Sequence, residues 1–273
     1  MSAIRSMVRS ARRSLQVAGA FLRLGLQQEL SYPLGFATSQ LAGLLPVFLF
    51  FFVAKLVDRP DYFTFVLVGL IATKLLDAGI RGFSREMDIA INRGWLEMFL
   101  VEPVHWRLLP VSMTQWRAVE GLVSAGLVTM IGIALGAQIR GDEIGTAALI
   151  VLLGLIAGMA IGTLSASLKV LAKSGDPILF VYGLAAQLFS GVYFPIDTLP
   201  GSIRWVSWLI PHTYVIMALR GTLMPVGSES SVLAPEQALL ALSLFCLVLF
   251  PLALWVYGKA LEYGRKLGVL SGY

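Results

Sequence analysis

FSGVYFPIDTLPGSIRWVSWLIPHTYVIMALRG, residues 189–221, decides how this chain is read. It follows an apolar run directly, yet it is too polar and too broken by proline to be another plain membrane span. Pro195, Pro200 and Pro211 each interrupt a helix, because proline has no backbone donor and its ring clashes with the preceding turn. Between them, short pieces keep helical apolar spacing: Ile203, Val206 and Leu209 or Ile210, then Tyr214, Met217 and Ala218. Broken helices at a bilayer edge survive only where protein or a water-lined cavity satisfies the freed backbone groups. The stretch therefore predicts an interfacial or re-entrant helical hairpin over 195–225, with the rest of the chain as the spans that hold it.

The flanking composition agrees. The chain has 273 residues, 57% hydrophobic and 14% charged, with a mean hydropathy of +0.80. That is a polytopic membrane protein, not a soluble core. A span needs roughly 20 apolar residues. Six fit, at 34–57, 62–80, 116–139, 144–168, 177–194 and 236–258, and leave no room for a separate soluble domain. The fold class expected is all-α and integral to the membrane. The single cysteine, Cys246, lies in an apolar run, which excludes a disulfide framework. His105 and His212 are the only histidines and fall on opposite predicted sides, so no metal site is expected.

Charge sets the orientation. Arg5, Arg9, Arg12, Arg13 and Arg23 lie on one arc of a helix over 1–30, and Ile4, Met7, Val8, Ala11, Leu15, Ala18 and Leu22 on another. That is an amphipathic helix lying on an anionic lipid face, so membrane lipids are expected partners and nucleic acid is not. The net charge of +5 resides at span edges. With the N-terminus inside, Arg81, Arg85, Arg93, Arg107, Arg117, Lys169, Lys173, Lys259, Arg265 and Lys266 are also inside. Only Arg59, Arg140, Arg204 and Arg220 are outside. The positive-inside rule thus predicts both termini and the connection 81–115 in the cytoplasm, and the broken hairpin outside.

Within 81–115, a helix from Phe83 to Val101 would place Met87, Ala90, Ile91 and Met98 on one face among charges of both signs. Arg93-Gly94-Trp95-Leu96-Glu97 with Leu100 and Pro103 resembles the cytoplasmic segment of type-2 ABC transporter permeases, which reads G-x-L-E, then Leu, then Pro. SGVYFPIDTLP followed by WLIPHTYVIMALRG resembles the second hallmark of that family: a small-residue turn, Phe-Pro, Leu-Pro, Pro-x-Thr-Tyr and a closing Arg. The resemblance covers essentially the whole chain.

The resemblance implies a permease subunit of an ATP-driven exporter in the bacterial plasma membrane. It would pair with a second copy or a sister permease and with two cytoplasmic ATPases. The cargo class it implies is amphiphilic: a drug, lipid, glycolipid or lipid-linked polysaccharide. Arg85, Glu86, Arg93, Gly94, Glu97 and Pro103 would couple to the ATPase. Phe189, Tyr193, Phe194, Pro195, Pro211 and Arg220 would form the outer gate of the translocation path. No G-x-x-x-x-G-K-[ST] phosphate loop is present, so ATP and Mg would bind the partner and this chain, with no cofactor of its own, is no enzyme by itself.

Two features remain inside the spans. Lys74 and Asp77 stand i, i+3 on the second span; they read as a structural ion pair near its inner end, where lysine snorkels, with a role in transport as the alternative. Gly154, Gly158 and Gly162 repeat every four residues, a stripe that lets helix backbones approach. The alternatives are an ion-coupled secondary transporter and a membrane-embedded lipid-modifying enzyme. The first needs acids at mid-bilayer and internal repeats, the second a convergent catalytic constellation; neither is evident.

Overall fold

The computed structural model describes residues 2–94, 106–172, 176–225 and 233–266, and every element among them is helical. In chain order these are α1 (Ser2–Ser31), α2 (Pro33–Leu56), α3 (Pro60–Asn92), α4 (Leu109–Ala134), α5 (Ile144–Ala172), α6 (Pro177–Phe189), α7 (Gly201–Trp208), α8 (Pro211–Leu223) and α9 (Pro235–Lys266). Short 3₁₀ turns at Trp106–Leu108 and Ile196–Thr198 precede α4 and α7. Prolines start several of the helices: α2, α3, α4, α6 and α8 each carry one in the first two positions. There the missing donor costs nothing and the fixed φ already suits a helix.

Among the described residues, five helices are long and apolar enough to cross a membrane: Pro33–Leu56, Asp61–Asn92, Trp106–Ala134, Ile144–Leu171 and Pro235–Lys266. The expected span over 177–194 does not extend that far. α6 stops at Phe189 after 13 residues, about 20 Å at 1.5 Å per residue against a hydrocarbon core of about 30 Å. Ser190 caps it, and Gly191 at φ +81° turns the chain in a conformation open chiefly to glycine.

Two further expectations shift. The helix of the second span does not end near residue 80 but continues to Asn92, because Phe83, Met87 and Ala90 are buried at helical spacing. Gly94, at φ +70° just past the Arg93 cap, stops it. And the segment after Pro211 is not peripheral. In α8, Pro211 to Leu219 and Thr222 are all buried, because the helix inserts among α3, α5 and α9.

The architecture is organised around α3. In its most apolar stretch 78% of the residues are buried, against 11% for α2 and 17% for α9. It packs chiefly on α4 and α5, and α5 in turn packs on α9. The α3–α5 crossing is a backbone contact. A Cβ at Gly158 would lie 2.8 Å from the Leu76 carbonyl oxygen, and one at Gly79 would lie 2.7 Å from that of Leu155. The small-residue stripe thus serves packing within one chain. At the end of the bundle where α3, α5 and α9 finish, a second core gathers Phe83, Met87, Leu109, Met113, Ala166, Val170, Tyr257 and Leu261. This is called the charged end below.

Candidate functional site

A groove of about 560 Å³ opens between α3 and α6. Its α3 wall is the stripe Thr73, Asp77, Arg81, Ser84, Arg85 and Asp88, in which Thr73, Asp77 and Arg81 follow four apart and Ser84 and Arg85 stand three and four beyond Arg81, as one helix face requires. The stripe runs about 22 Å along the helix. Leu179, Phe180, Tyr182, Gly183 and Ala186 of α6 form the opposite wall, and Val192, Tyr193 and His212 close the far end. The chemistry is graded. Arg81, Arg85, Asp88, Lys169 and Asp176 crowd the charged end, while Tyr182, Gln187, Tyr193 and His212 make the far end aromatic and uncharged. His212 is fully buried, and its Nδ1 stands 2.7 Å from the Tyr182 hydroxyl.

The charged end of the groove is held by one buried amine. Lys169 Nζ lies 2.5 Å from Asp88 Oδ2 and 2.8 Å from Asp176 Oδ2, with its side chain only 9% exposed. Asp176 also accepts hydrogen bonds from Ser84 Oγ at 2.8 Å and Ser165 Oγ at 2.6 Å. It caps α6 as well, accepting from the Leu179 N–H at 3.1 Å. Burial works to raise this carboxyl, but the bonds from Lys169, Ser165, Leu179 and Ser84 prevail and hold it below the usual carboxylate range. The end of α3, the end of α5 and the start of α6 are thereby fastened at one point.

A second hub stands beside it. Arg117 of α4 lies 2.6 Å from Glu120, 3.6 Å from Glu29 of α1 and 3.7 Å from Glu86 of α3. On α1, Gly25 makes room for the Trp116 ring, which a Cβ there would overlap. Glu86, one of the residues assigned to coupling, is therefore the α3 arm of a junction with the amphipathic helix and α4. Arg85 is exposed on the groove face, and Arg93 and Gly94 end α3. Glu97 and Pro103 lie outside the described residues.

The expected Lys74–Asp77 pair is replaced by another. Asp77 meets Arg81 at 3.6 Å, one turn further along, whereas the Lys74 ammonium lies against Gly43 of α2. An i, i+3 spacing permits a pair without requiring it. Arginine at i+4 reached the same carboxylate.

The residues assigned to the outer gate separate into anchors and lining. Arg220 donates to the Phe65 carbonyl from Nε at 3.2 Å and Nη2 at 3.1 Å, and to the Val192 carbonyl at 3.0 Å. Its guanidinium lies 3.3 Å over the Phe65 ring. It ties the 191–193 turn to α3 and is an anchor. Tyr193 lines the groove, stacks on Phe50 at 5.0 Å, and accepts at its carbonyl from the Tyr62 hydroxyl. Pro211 is the buried first residue of α8, and Pro195 opens the 3₁₀ turn. Phe189 and Phe194 are partly buried and do not line the groove.

Sequence reasoning missed Lys169, Asp176, Ser84 and Ser165 as a unit, and Arg117 as a hub. The signal was present in part: a lysine and an aspartate closing and opening adjacent spans, and an arginine beside glutamate at a span start. Their convergence depends on how α3, α4 and α5 pack. Among the described residues, no cluster of three or more His, Cys, Asp or Glu is placed to hold a metal ion.

Comparison with curated proteins gives no match. The family model for the ABC-2 type transporter matches residues 19–224, which takes in α2 to α8 with the groove, the Lys169 lock and the Arg220 clamp. It covers well over half of the chain, and its members are the membrane subunits of transporters whose ATPase is a separate polypeptide. A helical, multi-pass membrane chain with this groove and this match therefore belongs to the ABC-2 type transporter family, as a permease that partners an ABC ATPase.

Proposed function

We propose that this permease exports an amphiphile, drawn from the cytoplasm or the inner leaflet, across a bacterial plasma membrane. Two such subunits, identical or sister chains, pair with two ATPases that bind ATP and Mg. The observation that carries the reading is the graded groove. A side cleft charged at one end and aromatic at the other fits a molecule with a polar head and an apolar body. The basic bias of the charged end supports a cytoplasmic placement for it and for both termini. The turn and short helix from Gly191 to Trp208 then roof the path on the outside, with the buried α8 holding them to the bundle.

Coupling belongs to the same end. Arg85, Glu86, Arg93 and Gly94 finish α3, and Glu97 and Pro103 follow in the connection toward α4. A displacement of that connection by the ATPase acts on α3 directly, and on α6 through Lys169 and Asp176. The ATPase supplies the differential binding energy between inward and outward states that the switch requires. The test is a Glu97→Arg variant in proteoliposomes with the ATPase. Loss of ATP-stimulated transport together with weakened ATPase association supports the assignment. Wild-type association and transport would remove Glu97 from coupling.

A further inference from the structure

A second cleft, of about 390 Å³, lies between the Trp106–Leu108 turn and the last third of α9. We propose that it binds the head group of an anionic phospholipid. The argument starts from position. Along α9, Leu240, Leu244, Leu247, Leu252 and Trp255 form exposed apolar surface, and the exposed charges Lys259, Glu262, Arg265 and Lys266 follow immediately. The cleft sits at that changeover: Pro251, Leu254 and Trp255 line its apolar end, and Arg107, Lys259 and Glu262 its charged end. Trp255 is 61% exposed, the placement of an indole at a membrane–water boundary.

The walls are built in advance. Trp106 is seated on Gly258, where any Cβ would overlap its ring, and it packs against the fully buried Tyr257 at 6.0 Å. Arg107 lies over the Trp106 ring at 5.1 Å and has no carboxylate partner among the described residues. Lys259 meets Glu262 at 3.1 Å, and Lys266 stands two turns on along the same face. The lining holds two cations, Arg107 and Lys259, against one acid, Glu262, and Lys266 adds positive charge beyond it; that balance favours an anionic head group over a zwitterionic one, and basic pockets beside spans take such lipids. A lipid rather than a soluble protein is the occupant because the cleft's apolar end runs unbroken into the exposed apolar stripe of α9.

The inference rests on α9 being a span, and not on the cargo or the direction of transport. The probe is phosphatidylglycerol with brominated acyl chains, titrated into nanodiscs of phosphatidylcholine that hold the full chain. Brominated phosphatidylcholine serves as the comparison lipid. The signal is the tryptophan quenching lost in a Trp255→Phe variant. Half-quenching is expected at an about tenfold lower mole fraction for phosphatidylglycerol than for phosphatidylcholine. Arg107→Gln/Lys259→Gln should cut that preference to about twofold, and Arg140→Gln, on a cation remote from the cleft, should keep it. Should the double variant fail a thermal-unfolding check, Lys259→Gln alone carries the test. An unchanged preference in the folded variant, or none in the wild type, overturns the proposal. So does its loss to soluble glycerol phosphate, which would make this a phosphate site, or shielding of Trp255 by added ATPase, which would make it a protein contact. No arm needs ATP, so its failure leaves the ATPase pairing untouched.

Discussion

Lys169 is a charge the fold cannot leave uncompensated: buried, it answers two carboxylates, Asp88 and Asp176, and Asp176 is held as well by two serines and a helix N-terminus. Lys169→Met returns Asp88, 47% exposed, to solvent and leaves Asp176 to its serine and backbone donors, and should cost about 1–3 kcal/mol in detergent-micelle unfolding. The pH dependence has a definite sign. The Asp176 carboxyl is held below its ordinary value, first against burial and then by its four donors. Its contribution is therefore complete above the unfolded value of about 3.9 and is lost as the pH falls through the lower folded value. Asp176→Asn should flatten the acid limb of a melting-temperature profile; an unchanged limb would show that other carboxylates set it. Arg220→Ala leaves the Phe65 and Val192 carbonyls short of a donor and should cost about 2–4 kcal/mol. Arg220→Lys should recover only part, since an ammonium lacks the planar fork. The importance of Arg220 was legible in the sequence as the closing residue of a motif, but its role was not. It anchors a turn to α3, and no local pattern tells an anchor from a lining residue.

At the scale of elements, the α3–α5 crossing separates two glycines that look alike in the sequence. A methyl at Gly158 meets rigid backbone at 2.8 Å and 3.2 Å, at Leu76 O and Ile80 N. Gly158→Ala should therefore destabilise by about 1–3 kcal/mol despite alanine's better helix propensity. A methyl at Gly154 meets only side chains, Val215 at 3.3 Å and Leu76 at 3.9 Å. Gly154→Ala should stay within about 1 kcal/mol of the parent in the same unfolding assay, and equal losses at both sites would contradict the backbone contact. The long helices were readable because apolar runs above 20 residues carry their own signal. Shortness was not: α6 continues in apolar residues past Phe189, and only the turn at Gly191 ends it. Nor was the burial of α8. Its prolines and polar groups read as an edge, yet they are satisfied inside: Thr213 Oγ1 donates to the Ser207 carbonyl at 2.7 Å and the Tyr214 hydroxyl to that of Trp208 at 2.8 Å. The two shared-ion hubs stayed hidden because each depends on a residue far off in sequence: Asp88 of α3 meets Lys169, and Glu29 of α1 and Glu86 of α3 meet Arg117.

Over the whole molecule, the two hubs, the α3 terminus and the charged end of the groove lie at one end of a bundle whose centre is α3. A push delivered there reaches α1 and α4 through Arg117 and α6 through Lys169. On the proposed function, transport depends on a partner that hydrolyses ATP and on the groove being free to take the cargo. Tyr182→Trp, which narrows the groove wall opposite Asp77, should lower transport at least several-fold while ATPase association stays at the parent level. Association lost in parallel would mean a folding defect instead. The most direct measurement is purification of the full chain in mild detergent, quantification of the soluble ATPase that accompanies it, and efflux from proteoliposomes with and without ATP. The account predicts one ATPase per permease and efflux that stops when ATP is withheld. A chain that purifies alone and transports at the same rate without ATP would contradict it.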